Sequence, residues 1–454
     1  MRIIHTSDWH LGQYFINKSR LKEHQRFMAW LLEQVDEHQV DAIIVAGDIF
    51  DTGSPPSYAR KLYNQFIVDL QQHNCQLVVL GGNHDSVATL NESTNLLACL
   101  NTYVVPSAQQ DSQLQLEQQV ITLKQDISGN SSTGCVLCAI PFIRPRDVLY
   151  SQAGQSADDK QQDLQQAIYE HYNQIFQLAL TQAQKHQPPL PIVATGHLTC
   201  VGASSSESVR EIYIGTLGAY PANRLPKADY IALGHIHQSQ KVGGNEHIRY
   251  CGSPIPLSFD EVGNSKVVNL VELSAHQQSV NITSLPVPVF QPMKQIKGDL
   301  NSIEQQLNAL SHFDKDLPVW LDIEVASGEY VTEFQTQIET WCKELPVEVL
   351  LLRKAKVKQS HDDSVGQFDF NQQATLTELN PTEVFEKRLD AELVVAMNEG
   401  QRQEQQQPND SSNDLHLARL KRIRQSFAQV VAQSHAQINP LKQNQQSDLS
   451  DDES

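Results

Sequence analysis

MRIIHTSDWH, residues Met1 to His10, is the stretch on which the reading of this chain turns. Ile3 and Ile4 form a short apolar run that stops at Asp8 and His10, two metal-capable side chains one residue apart where a strand would give way to a loop. Four later stretches repeat the design: GDIFD at Gly47–Asp51 after AIIVA, GGNHD at Gly81–Asp85 after LVVL, Gly196–His197 after PIVAT, and GHIH at Gly234–His237 after DYIAL. Each sets Asp, Asn or His in a tight turn behind an apolar strand. Five strand ends of one sheet, each delivering one or two oxygen or nitrogen ligands to a common edge, would build a dinuclear metal site of the kind that hydrolyses phosphate esters.

Length and composition bound the rest. A chain of 454 residues is too long for one core and implies two or three domains. Asp8 and His10 interrupt any secretory h-region, and no apolar run reaches the ~20 residues of a membrane helix, so the protein is expected in the cytoplasm with no membrane partner. The seven cysteines are scattered and odd in number, which suits a reducing compartment. Cys135 and Cys138 form a CxxC without a second pair, inside GCVLCAI, and read as structural residues of a buried strand. A formal charge of -19 opposes general affinity for nucleic acid. Much of that acid lies in the metal loops and in the tail, where Asp448, Asp451, Asp452 and Glu453 cluster. Two divalent ions less the charges of Asp8 and Asp48 would leave the site itself at about +2, attractive to phosphate.

Strand, helix and strand alternate through the first hundred residues, with helical stripes at Phe27, Trp30, Leu31 and Val35 and at Tyr58, Leu62, Phe66 and Leu70. This predicts a layered α/β domain with its site at the carboxyl ends of parallel strands. Thr102 to Ile140 reads as β without clear helices, followed by a long helix around Leu164, Ile168, Ile175 and Leu178. HIRYCGS, KVVNLVEL and SVNITSL read as antiparallel strands forming the second half of a sandwich, which closes the first domain, residues 1–285. Residues 286–356 read as a compact α+β unit: a strand near Phe290, a helix at Ile303–Leu310, VWLDIEV, a helix at Phe334–Trp341, and VEVLLLR. A linker is expected at 357–379 and two helices within 380–435, striped by Phe385, Leu389, Leu393 and Met397 and by Leu420, Ile423, Phe427 and Val430. Residues 436–454 read as an acidic, disordered tail.

The motif order DxH, GDxxD, GNHD, GH, GHxH resembles the calcineurin-like metallophosphoesterase superfamily. DWHLG, AGDIFDTGSPPSYAR, GNHDSVATLNES, GHLT and RYCGSPIPLSFDE resemble in particular its SbcD-like nucleases. The resemblance covers about the first 355 residues. It implies a four-layer α-β-β-α sandwich with a capping domain, and helices that dock a partner's coiled coil, the alternative being that they pack on the chain's own domains. It further implies Asp8, His10 and His237 as ligands of one metal, Asn83, His197 and His235 as ligands of the other, and Asp48 as the bridge. His84 matches the residue that stabilises or protonates the leaving oxygen, and Asp51 stands where it would orient His84, a task Asp85 also has the position for. Hard oxygen donors mixed with imidazole, without thiolate, favour two Mn²⁺ or similar octahedral ions. The implied activity is 3'-5' exonuclease action on duplex ends and endonuclease action on single strands and hairpins. It would be exerted as a homodimer within a heterotetramer with an SbcC-type coiled-coil ATPase, in DNA-end processing, replication and recombination. The ligand set alone fits a small-nucleotide or phosphoprotein phosphoesterase equally well. The capping unit and terminal helices favour the nuclease, and the complete ligand set disfavours a non-catalytic scaffold. His5 and His247 read as structural, and Arg144, Arg146 and Arg210 as phosphate contacts or surface ion pairs alike.

Overall fold

The computed structural model describes residues 1–108, 113–127, 130–149, 157–209, 219–275, 279–326 and 331–355. The linker, both C-terminal helices and the acidic tail expected from the sequence lie outside these residues.

Two six-stranded sheets face each other. In the first, Arg2–Thr6, Ala42–Val45, Gln76–Leu80 and Thr102–Val105 run parallel, and Val267–Ser274 and Ser279–Pro286 extend it antiparallel on the far side of Arg2–Thr6. The second has the order Gln240–Val242, Asn245–Tyr250, Tyr230–Gly234, Ile192–His197, Asn130–Cys138, Val120–Ile127. Alternation along each strand sends side chains to opposite faces. Ile3, Ile44, Val78 and Leu80 therefore meet Leu123, Leu137, Val193 and Ala232 between the sheets. Ile4, Ile43, Val45, Leu77 and Val79 face Phe27, Leu31, Phe66 and Leu70 of the helices Leu21–His38 and Ser57–Leu70. On the opposite side Val136, Ala194, Ile231 and Leu233 face Leu164, Ile168, Tyr172 and Ile175 of the helix Ala157–Ala183. The result is helix, sheet, sheet, helix. Cys135 belongs to the inter-sheet core and Cys138 to the outer one, so the CxxC pair points to opposite faces.

Several expectations are corrected. The five strands that lead into the expected ligands do not share one sheet: Arg2–Thr6, Ala42–Val45 and Gln76–Leu80 lie in the first, Ile192–His197 and Tyr230–Gly234 in the second. KVVNLVEL and SVNITSL complete the first sheet instead of founding a second, while the strand Asn245–Tyr250 that holds HIRY lies in the second sheet, antiparallel to Gln240–Val242 as expected and parallel to Tyr230–Gly234. Runs such as AIIVA and PIVAT are buried on both faces, so they carry no alternation that could tell one sheet from the other. The stretch Thr102–Ile140 also includes a short helix, Gln113–Glu117. In the long helix, Tyr172 and Ala179 take the buried positions while Leu178 lies outside the fully buried stripe.

A separate three-stranded parallel sheet, Met293–Gly298, Val319–Val325 and Val347–Lys354, packs the helices Leu300–Asn308 and Val331–Cys342 over Ile296, Leu321 and Ile323. Its first strand begins past Pro292, later than the Phe290 expected. This unit is tied to the sandwich by Trp320, which stacks on Phe15 with ring centroids 5.9 Å apart and planes 9° from parallel. The buried guanidinium of Arg20, ion-paired with Glu23, lies 5.1 Å from the centre of Phe15 and 5.7 Å from that of Trp320. Lys18 and Glu348 add an ion pair across the same junction. Among the described residues no helix is long and apolar enough to cross a membrane.

Candidate metal centre

The loops that leave the strands are wound tightly. Asp8, His10, Asp48 and His235 have φ of 53°, 46°, 51° and 93°, a region that side chains other than Gly seldom adopt. Each such residue costs about 1–3 kcal/mol, and the clustering of such strain is typical of sites that position groups for chemistry. Hydrogen bonds hold it: Asp8 N–H to Gly47 O at 3.0 Å, His10 N–H to Asp48 O at 3.1 Å, and His235 N–H to Asp8 Oδ1 at 3.0 Å. Two glycines permit the close approach. A Cβ on Gly82 would fall 2.1 Å from Asp48 Oδ1, and one on Gly234 would fall 1.9 Å from Ala46 O, a contact between the two sheets.

The fold brings all seven expected ligands into one place. Ligand atoms of Asp8, His10 and His237 lie within 4.8 Å of one another, as do those of Asp48, His197 and His235 and those of His10, Asp48 and His84. Asn83 Oδ1 is 2.8 Å from His197 Nε2 and 3.2 Å from His235 Nδ1. Asp48 Oδ2 is 3.2 Å from His197 Nε2 and 3.7 Å from His10 Nε2, so this carboxylate sits between the two groups. Asp8, His10, Asp48, His197, His235 and His237 are buried, whereas Asn83 and His84 are partly exposed.

The residues fit divalent cations. Nε2 of His10 and of His235 are buried without a hydrogen-bond partner, a costly condition for a polar atom that a bound cation would relieve. Charge tells the same story. Burial pushes the Asp48 carboxyl up, but His197, His84 and His10 together hold it well below the usual carboxylate range. Burial pulls the His197 imidazole down, yet Asp48 and Asp8 raise it to about 9. The His235 imidazole, by contrast, is driven well below its ordinary value by burial and by His197. Carboxylates that retain a proton on a neighbouring imidazole are carboxylates short of positive charge, and two divalent ions would displace that proton.

His84 is held by its main chain, whose N–H donates to Asp48 Oδ1 at 2.9 Å, and by its ring, whose Nδ1 donates to the carbonyl oxygen of Asp51 at 2.7 Å. Asp51 thus reaches His84 through its main chain, while its carboxylate Oδ1 lies 3.2 Å from Nδ1 of His10. Asp85, the other candidate for orienting His84, is occupied otherwise. Its carboxylate accepts the N–H groups of Ile49, Phe50 and Gly82 at 3.1, 3.0 and 2.9 Å and so laces the GDIFD and GGNHD loops together. Arg144 serves the same loop, donating Nη2 to the carbonyls of Gly82 and Asp85 at 3.2 and 3.0 Å. Arg146 is exposed, and Arg210 lies outside the described residues. His5 is a buried structural residue between Tyr230 Oη, 2.8 Å away, and Leu233 O, 3.2 Å away, and His247 is half-buried. Beside His237 lie half-buried Ser208 and buried Glu261 and Lys266; Glu261 closes the stretch RYCGSPIPLSFDE, but the sequence assigned it no role. The three are separated in sequence, and an acidic residue five before a lysine carries no local signal.

Comparisons with known proteins bear on this geometry. A calcineurin-like phosphoesterase model matches residues 1–239, and a model described as the type 5 capsule protein repressor C-terminal domain matches residues 289–392. The chain is 54% identical over 389 residues to the SbcD subunit of nuclease SbcCD of Escherichia coli (strain K12), covering 86% of this chain and 92% of that protein. It is 30% identical over 355 residues to the SbcD subunit of nuclease SbcCD of Rhodobacter capsulatus, covering 76% and 85%. A solved dimetal phosphatase from Danio rerio aligns with a TM-score of 0.35 at 10% identity, over 64% of this chain and 97% of that one. The chain is a phosphodiester hydrolase that belongs to the calcineurin-like phosphoesterases and, among them, to the SbcD subunits of the SbcCD nucleases.

Proposed function

We propose that this chain cleaves DNA with two Mn²⁺ ions, as the nuclease subunit of a cytoplasmic complex with an SbcC-type coiled-coil ATPase. Asp8, His10 and His237 would hold one ion, Asn83, His197 and His235 the other, and Asp48 both. The observation that carries the reading is the convergence of these seven side chains, with two buried imidazole nitrogens left unpartnered. Bound there, the ions would supply the positive charge that polarises a phosphodiester and activates water for attack on phosphorus.

The remaining work falls to the chain. Asn83 and His84, partly exposed, are where a phosphate would approach the site. With Nδ1 of His84 committed to the Asp51 carbonyl, Nε2 is the atom that would carry a proton to the leaving oxygen, a role worth ~10² to 10⁴ in rate. The strained loops hold these groups in place before substrate arrives, which reduces reorganisation during the reaction. The unit docked through Trp320 and Arg20 would cap the nuclease and engage DNA ends, and the stripes within 380–435 would dock the ATPase, giving a heterotetramer with two copies of each chain. In this assembly the substrates would be duplex ends, cut 3'-5', and single strands or hairpins, cut internally.

The test is cleavage of linear and hairpin DNA by the chelator-stripped chain with Mn²⁺ restored, alone and with the ATPase. Cleavage that requires Mn²⁺, and that gains ATP-dependent processing of duplex ends when the partner is added, is expected. Hydrolysis of small phosphodiesters with intact DNA under every condition would overturn the nuclease reading.

A further inference from the structure

His237 is gripped at both its ring and its main chain by a group, buried at Glu261 and Lys266, that the two-ion reading does not use. Glu261, at the end of the one-turn helix Phe259–Glu261, is 1% exposed. Its Oε1 accepts from Ser206 Oγ at 2.8 Å and from Ser208 Oγ, and lies 3.4 Å from His237 Nδ1. Its Oε2 accepts from Lys266 Nζ at 2.6 Å, Leu257 N–H at 3.0 Å and Ser253 Oγ at 3.4 Å. Ser208 Oγ lies 2.6 Å from His237 Nδ1, and Lys266 Nζ donates to the His237 carbonyl at 3.0 Å.

Donor and acceptor rules place the protons. An ionised carboxylate only accepts, so the Ser208 hydroxyl hydrogen goes to Glu261 and the Ser208 oxygen is left to accept. The proton between Ser208 and His237 then resides on Nδ1. That tautomer presents a lone pair at Nε2, the state an imidazole ligand needs, and a carboxylate behind a ligating histidine commonly fixes it. Lys266 supplies the countercharge without which a carboxylate this buried would not remain ionised. We propose that Glu261, acting through Ser208, is a positioning residue that fixes the tautomer and direction of His237 for the ion held with Asp8 and His10. This rests on the two-ion reading of the site.

Glu261→Gln tests the direction of the chain of hydrogen bonds. Lys266 and the Leu257 amide offer only hydrogens, so the new carboxamide must set its oxygen at the Oε2 position and its NH₂ toward Ser208. Ser208 then turns its hydroxyl hydrogen to His237, and the imidazole proton moves to Nε2, where it blocks ligation. The experiment titrates Mn²⁺ into the chelator-stripped full-length chain by calorimetry, for the parent, Glu261→Gln, Ser208→Ala and Ser208→Thr. The parent is expected to bind two ions. Glu261→Gln and Ser208→Ala are expected to weaken one of the two by ~10- to 100-fold and to leave the other unchanged, and Ser208→Thr, which keeps the hydroxyl, is expected to restore it. If Glu261→Gln does not fold, the Ser208 pair decides alone. A parent binding fewer than two ions overturns the two-ion reading itself. Two ions in the parent with unaltered affinities in Glu261→Gln and Ser208→Ala overturn the role of Glu261. Equal weakening of both ions without rescue by threonine also overturns it, because that pattern marks lost packing.

Discussion

Oδ1 of Asn83 stands 2.8 Å from Nε2 of His197, although Asn83 follows a strand of the first sheet and His197 ends a strand of the second. Asn83 leaves the first sheet, together with the loops that carry Asp8, His10 and Asp48, while His197, His235 and His237 leave the second. Neither sheet holds a complete site. Metal binding is therefore coupled to the alignment of the sandwich, and most mutations that disturb the seam should be felt as lost metal before lost fold.

Asp48→Ala should abolish tight binding of both ions, because one carboxylate lies between both ligand groups. His10→Ala should weaken chiefly one. Metal titration followed by calorimetry reads the difference, and two tight ions retained by Asp48→Ala would exclude a bridging role.

His84→Gln should retain metal and DNA binding while slowing cleavage by ~10²-fold or more, if the ring acts on the leaving group as proposed. Single-turnover rates at saturating Mn²⁺ give the answer. A variant as fast as the parent, or one that loses metal along with activity, removes His84 from proton transfer.

The gathering of these side chains was legible because the signal is chemical: Asp, Asn and His at the ends of apolar runs need no knowledge of which strand neighbours which. The sheet assignment was not, because Ile43 and Val193 alike sit in strands buried on both sides, and periodicity distinguishes faces only when one of them is wet. Supporting roles were legible least. That Asp51 meets His10 with its carboxylate and His84 with its carbonyl is set by the turn itself, and that Asp85 laces two loops depends on main-chain donors 35 and 36 residues away. Glu261 reaches His237 across the sequence through Ser208, a contact that only the packed structure supplies.

Gly82→Ala should cost about 1–3 kcal/mol of stability and most of the metal affinity, because the added methyl would meet Asp48 Oδ1 at 2.1 Å and Asp48 N at 2.3 Å. Thermal unfolding with and without Mn²⁺ would show both effects. An unchanged melting temperature and unchanged stabilisation by Mn²⁺ would mean that the two loops are not packed as described.

Stability of the metal-free chain should fall as pH drops below 6.5. Burial lowers the His5 imidazole to about 3 and that of His171 to about 4. The unfolded chain takes up these protons from about pH 6.5 downward while the folded chain refuses them, so their contribution is complete above that pH and is lost toward pH 4 and then 3. Each group adds at most about 1.4 kcal/mol per pH unit to the slope. His197 acts in the opposite sense: raised to about 9, its contribution is present below 6.5 and lost as pH rises through 9. Urea titrations at several pH values test the acid limb, which should flatten in His5→Gln with His171→Gln; an equally steep limb in that double variant would contradict the assignment.

Anomalous scattering from crystals soaked in Mn²⁺ tests the central claim most directly. Two peaks about 3.5–4 Å apart are predicted, with Asp48 touching both, Asp8, His10 and His237 around one, and Asn83, His197 and His235 around the other. A single peak, or two peaks that do not share Asp48, would contradict the account.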